Sequence, residues 1–147
     1  MKAEKDFYIS DIRNIEQDLY RNGNSTMVRF TDKDNMIRPQ DSRMHKDTRT
    51  GIMYVWPSHA GVSASEIFDG GQNRWKIKKG TPIPFWLALA VDKITPGHVH
   101  IVATKRMKMS QYISLLEEMF EKAVKITDIQ AELSLNRTNL TGKRAQL

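Results

Sequence analysis

Two histidines one residue apart in an extended stretch, His98 and His100, are the side chains best suited to moving protons near neutral pH. In His98-Val99-His100-Ile101-Val102-Ala103 the period of two puts His98, His100 and Val102 on one strand face and Val99, Ile101 and Ala103 on the other. Such a pair can contribute to a metal site, or act as general acid and base in RNA cleavage. The sequence sets no carboxylate or third ligand beside them, and partly buried structural histidines share the same pattern. Gly61-Val62-Ser63 places a hydroxyl after a glycine at a strand start, where it can pin a neighbouring backbone or a ligand hydroxyl; such tripeptides are also common in turns. Arg21, entering a first strand, can present its planar fork to a diphosphate, although most arginines of a basic protein do no such thing. Trp56, Trp75 and Trp86 read as core rather than as a stacking platform, Trp86 above all because it lies inside an apolar run. No Ser/His/Asp motif of known local spacing, P-loop, HExxH or GxGxxG occurs. Asp32 and Asp34 lack the glycine and terminal glutamate of a calcium loop.

The totals bound what these residues can serve. A chain of 147 residues with 39% hydrophobic content can bury roughly 68–70% of its unfolded surface. One domain over 1–138 is expected, followed by a flexible basic tail over 139–147. No apolar run is long enough for a membrane span, and MKAEKDFY lacks the apolar region of a secretory signal. The absence of cysteine removes disulfides and thiolate metal sites and fits a reducing cytoplasm. The sequons at Asn136 and Asn139 are then chance. A net charge of +6 attracts polyanions: nucleic acid, an acidic protein, or a phosphate-bearing cofactor.

The elements that must position the chemistry centre on Arg74 to Ala103. Trp75 and Ile77 alternate with Lys76 and Lys78, Gly80-Thr81-Pro82 breaks the ladder, and Phe85 to Val91 is a continuous apolar run fit for a strand covered on both faces. With the histidine strand these predict a three-stranded meander. Upstream, Ile12 to Leu19 has helical spacing with Ser10 or Asp11 as cap, while Leu19-Tyr20-Arg21 also suits a first strand. Thr26–Phe30 and Ile52–Trp56 read as strands, residues 31–50 as a long charged loop and residues 58–65 as a small polar loop. Downstream, Ser110 caps a helix whose stripe is Tyr112, Leu116, Met119, Phe120 and Ala123, and Thr127 opens a second helix through about Asn136.

The order of the pieces carries more than any one of them. Leu19-Tyr20-Arg21 is followed by Tyr54-Val55-Trp56-Pro57, Gly61-Val62-Ser63, Phe68-Asp69, Trp75-Lys76-Ile77, Gly80-Thr81-Pro82-Ile83-Pro84, Asp92, His98-Val99-His100-Ile101, Met107 and Tyr112-Ile113-Ser114-Leu115-Leu116. From about Leu19 to Val124 this resembles the small type VI secretion effector toxins of the ADP-ribosyltransferase-like class, which act in the cytoplasm and depend on NAD. The resemblance implies an α+β, ADP-ribosyltransferase-like fold, two small antiparallel β-sheets around a nicotinamide cleft with flanking helices. It implies NAD as substrate, held by Tyr20, Arg21 and Ser63, with Ser63 and His98 in the catalytic cleft and no metal. It also implies delivery into a target cell, a macromolecular target and a cognate immunity protein, which a basic toxin would prefer acidic. Val62 stands where the family has a threonine, and no acidic residue lies between His98 and Met109 to serve as the glutamate that holds the nicotinamide ribose. Glu66, Glu117 and Glu118 are the nearest candidates, and NAD hydrolysis is open beside ADP-ribosyl transfer. Two other classes stay in play: a ribonuclease toxin using His98 and His100, and a nucleic-acid-binding module whose basic loop from Arg38 to Arg49 tracks phosphates.

Overall fold

The computed structural model describes residues 3–38 and 41–126. After a short 3-10 turn (Glu4–Asp6) the strands run β1 (Phe7–Ile9), β2 (Leu19–Asn22), β3 (Met44–Lys46), β4 (Met53–Val55), β5 (Val62–Ser65), β6 (Arg74–Ile77), β7 (Leu87–Asp92), β8 (His98–Ala103) and β9 (Met107–Lys108). Helix α1 (Met109–Met119) and strand β10 (Val124–Ile126) follow. The architecture is α+β: an antiparallel seven-stranded sheet ordered β1-β7-β8-β5-β2-β6-β10, and a three-stranded sheet ordered β3-β4-β9.

The hairpin β7–β8 is the centre, in register from Leu87↔Ala103 to Val91↔Val99. It forms as its alternation dictates, with Leu89, Val99 and Ile101 buried in the main core on one side and Ala88, Ala90 and Val102 under Phe7 on the other. The expected meander is only half right. β6 pairs with β2 and β10, and does not adjoin β7. Its exit is a proline-bound connection that cannot supply ladder donors at Pro82 or Pro84. Arg13 fixes that connection by donating to the carbonyls of Ile83, Pro84 and Leu87 at 3.0, 2.8 and 3.0 Å. The apolar run therefore enters the sheet two residues late, at Leu87.

Three further expectations change. Residues 12–18 are not helical: Ile15 N–H donates to Thr81 O, Gly80 N–H to Ile15 O and Ile83 N–H to Arg13 O. Backbone groups engaged by residues 80–83 cannot also close helical turns, and burial of Ile15 supplies the apolar spacing that suggested one. Thr26–Phe30 makes a single bridge, Gly23↔Val28, because Asn24 Oδ1 draws the amides of Thr26 and Met27 into a turn. The long charged loop contains β3, whose Met44 faces Val55 while Met107 pairs with Val55 from the other side.

Helix α1 begins after Lys108, with no side-chain cap and Ser110 inside it. Its stripe holds as far as the C-cap: Tyr112, Leu116, Met119 and Phe120 are buried in the main core, whereas Ala123, expected to continue it, lies past the helix and is half-buried. Each fully buried side chain of this size contributes about 1.5–3 kcal/mol. The expected second helix from Thr127 and the tail over 139–147 lie outside the described residues.

Candidate functional site

The register of the large sheet decides which side chains can meet. Ser63 faces His100 and Ser65 faces His98 across β5–β8, and Tyr20 faces Ser65 across β2–β5. Paired residues of antiparallel strands share a face, so Tyr20, Ser63, Ser65, His98 and His100 stand together on the face turned away from α1. Val62, Ala64, Val99 and Ile101 point the other way and are buried.

A carboxylate does stand beside the histidines. Asp92, 3% exposed, lies with Oδ2 at 3.0 Å from His98 Nδ1, while its Oδ1 accepts from the amides of Ile94 and Thr95. In the neutral ring Nδ1 carries the proton toward Asp92 and leaves Nε2 as the basic atom. His100 Nδ1 donates to His59 O at 3.1 Å, and the two rings sit 4.9 Å apart at 85°. A buried carboxylate thus orients the His98 ring, the supporting half of a general-base arrangement.

Burial, and then the neighbouring His98, hold His100 below its ordinary value of 6.5. The unfolded chain therefore binds more proton at this ring than the folded one does. The contribution is fully present above about pH 6.5 and lost as pH falls. Denaturation midpoints are expected to drop on acidification from about pH 8 to about pH 5, and to drop less in His100→Asn. Equal slopes would remove His100 as the titrating group.

Beside this row lies a slot of about 360 Å³, lined by Phe7, Ile9, Pro57, His59 and Val102 with Glu4 at its wall. Phe7 stacks on His59 at 5.0 Å and lies 5.1 Å from His100. Gly61, just before β5, lets the β8 main chain come close, since a Cβ there would fall 2.2 Å from Ile101 O. The size and the apolar walls suit a flat heteroaromatic group.

Arg21 lies behind the face. Neighbours on a strand point oppositely, so with Tyr20 beside Ser65 the Arg21 side chain runs to the inner side, next to its partner Trp75. The β2–β5 ladder has the one pair Tyr20↔Ser65, and where it opens the guanidinium enters. Nη1 donates to Ser63 O at 2.7 Å and Nε to Arg29 O at 2.8 Å, above the Phe30 ring at 5.5 Å. Burial, partly countered by Asp41, pulls Arg21 down to about 10, so it stays cationic at neutral pH. Arg21 and Ser63 are thus brought together, but through the Ser63 carbonyl; guanidinium and hydroxyl do not point into one gap. Tyr20 packs on Phe68 at 5.5 Å, and burial raises its phenol above the ordinary value.

Of the three candidate glutamates, one shares a cavity with His98 and two lie elsewhere. Glu66 follows β5, its amide donates to Gly97 O, and it lines a cavity of about 180 Å³ together with His98. Glu117 lines a cavity of about 410 Å³ on the inner side with Arg29 and Trp75, and Glu118 lines another near Pro82 and Pro84. The carboxylate lining the slot is Glu4, which no spacing in the sequence marks. Asp92 carried a signal, since a residue closing β7 faces one opening β8. Arg38, expected to track phosphates, pairs with Asp41 at 2.8 Å. Among the described residues no group of three or more His, Asp or Glu could hold a metal ion, and no helix is long and apolar enough to cross a membrane. No family model, curated protein or solved structure matches this chain.

Proposed function

We propose that the chain is an NAD-dependent, ADP-ribosyltransferase-like toxin acting in the cytoplasm of a cell into which type VI secretion delivers it. The observation that carries this reading is the aromatic slot whose Phe7 meets His100, with Ser63 opposite His100 and His98 next to it on the same sheet face. The nicotinamide or adenine ring enters the slot against the Phe7–His59 stack, and Ser63 and Tyr20 meet the ribose and phosphates. His98 Nε2 takes the proton from the attacking hydroxyl or water as the bond from ribose C1′ to nicotinamide breaks. Asp92 then stabilises the imidazolium. Nicotinamide leaves neutral, and ADP-ribose passes to the target or to water. Glu4 supplies the negative charge near the cationic ribose. Arg21 acts from behind by holding the Ser63 main chain. The charge of +6 suits an acidic immunity protein in the producing cell.

Incubation of the purified chain with NAD is expected to release nicotinamide, and Ser63→Ala to slow release at least about tenfold, the worth of one hydrogen bond to the reacting molecule. Absence of both nicotinamide and any ADP-ribose adduct in a cell lysate would defeat the reading. A second reading, RNA cleavage, is favoured by the 4.9 Å spacing of His98 and His100 with Asp92 behind them. Cleavage of labelled RNA by wild type and not by His100→Ala, without NAD loss, would select it.

A further inference from the structure

The outer face of the small sheet carries aromatic rings paired with cations. Tyr54 pairs with His45 on one side and Lys108 on the other, so all three share that face. Arg106 lies 3.9 Å from the centre of the Tyr54 ring and 5.3 Å from that of Trp56. The adjoining Lys105 lies 4.1 Å from the centre of Trp86, which Phe85 meets edge-on at 4.5 Å. Trp56 is 37% exposed, Trp86 39% and Phe85 72%, so these tryptophans are not core. Rings of this size left in water side by side mark a contact surface.

Trp86 adds an independent observation. Its φ is +82°, a left-handed conformation that a bulky residue resists and that glycine takes freely. The three carbonyl bonds of Arg13 and the Thr104 N–H to Trp86 O bond at 2.9 Å over-determine it. A turn that only needed closing would use glycine; here the backbone is held in strain with an indole outside.

We propose that this strip binds single-stranded nucleic acid, with bases stacked on Phe85, Trp86 and Trp56 and phosphates on Lys105, Arg106 and Lys108. Cations resting on rings keep their N–H edges outward and lose little freedom on binding. Exposed rings between basic groups fit unpaired bases, whose faces a duplex hides. An acidic chain without aromatic groups would engage the cations and leave the rings without a stacking partner. The strip is separate from the Ser63–His98 row and does not depend on NAD chemistry.

The test is anisotropy of a labelled oligouridine and an oligothymidine of about twelve nucleotides with the full chain. Binding is expected to weaken with salt at a log–log slope near −2, as about three phosphate contacts give. Trp86→Gly, which keeps the left-handed backbone, and Phe85→Ala, on a mostly exposed ring, should each weaken binding at least about tenfold. Arg106→Gln should lower the slope by about 0.7, and Lys93→Ala, at the opposite end of β7, should change nothing. No binding at about 50 mM salt, unchanged affinity in both aromatic variants, or equal competition by polyglutamate would overturn the proposal.

Discussion

Replacing Tyr112 by phenylalanine is expected to lower the unfolding free energy by about 2–4 kcal/mol, although the ring and its packing survive. Tyr112 is fully buried in the stripe of α1. Its hydroxyl donates to Ile101 O and accepts from Val62 N–H at 3.1 Å. Val62 and Ile101 are register partners at the start of β5–β8, so the phenol stands where a ladder bond would otherwise close. Phenylalanine leaves one buried N–H and one buried carbonyl unpaired, each costing about 1–3 kcal/mol. Burial also pushes the Tyr112 phenol well above its ordinary value, so the proton stays on the oxygen that donates. Chemical denaturation should show a lower midpoint at unchanged slope, and hydrogen exchange should show lost protection at the Val62 amide. A loss under about 1 kcal/mol would mean that the two strands reclose without the hydroxyl.

Local signals were legible in the sequence and distant partners were not. The β7–β8 hairpin follows from alternation and a turn that both lie within the segment, and α1 follows from a stripe that its own spacing defines. β6 has the same alternation, but alternation is silent about the partner, and β2 comes from more than fifty residues upstream. Ile12 and Ile15 have helical spacing because the groove they fill lies between sheet and turn, not because their backbone coils. Trp86 shows a different limit. An apolar run implies burial, yet the carbonyls that Arg13 binds turn Phe85 and Trp86 outward. For the candidate site, alternation placed His98 and His100 together. The arrival of Ser63 opposite His100 needed the β5–β8 register, and the division of Tyr20 from Arg21 needed the β2–β5 register.

That division makes Arg21 the sharpest test of how the site is built. Arg21→Ala is expected to cost about 3–5 kcal/mol, since bonds from a charged donor are worth about 1.5–3 kcal/mol each and two carbonyls lose them. The emptied space above Phe30 adds to the loss. Arg21→Lys should fall between, because an ammonium on a straight stem reaches one carbonyl but cannot span Ser63 O and Arg29 O as the planar fork does. Ser63→Ala, whose hydroxyl lies on the far face from the guanidinium, should change stability by less than about 1 kcal/mol. The two roles open to Arg21 then separate. If it holds the Ser63 main chain, Arg21→Lys loses stability and NAD turnover together, and the turnover loss exceeds that of Ser63→Ala because the strand start moves as a unit. If instead it meets the dinucleotide phosphates, Arg21→Lys raises KM for NAD while the denaturation midpoint stays put. The bonds at 2.7 and 2.8 Å to main-chain carbonyls favour the first outcome: a cation engaged at the strand opening shapes the Ser63–His100 face from beneath without reaching it.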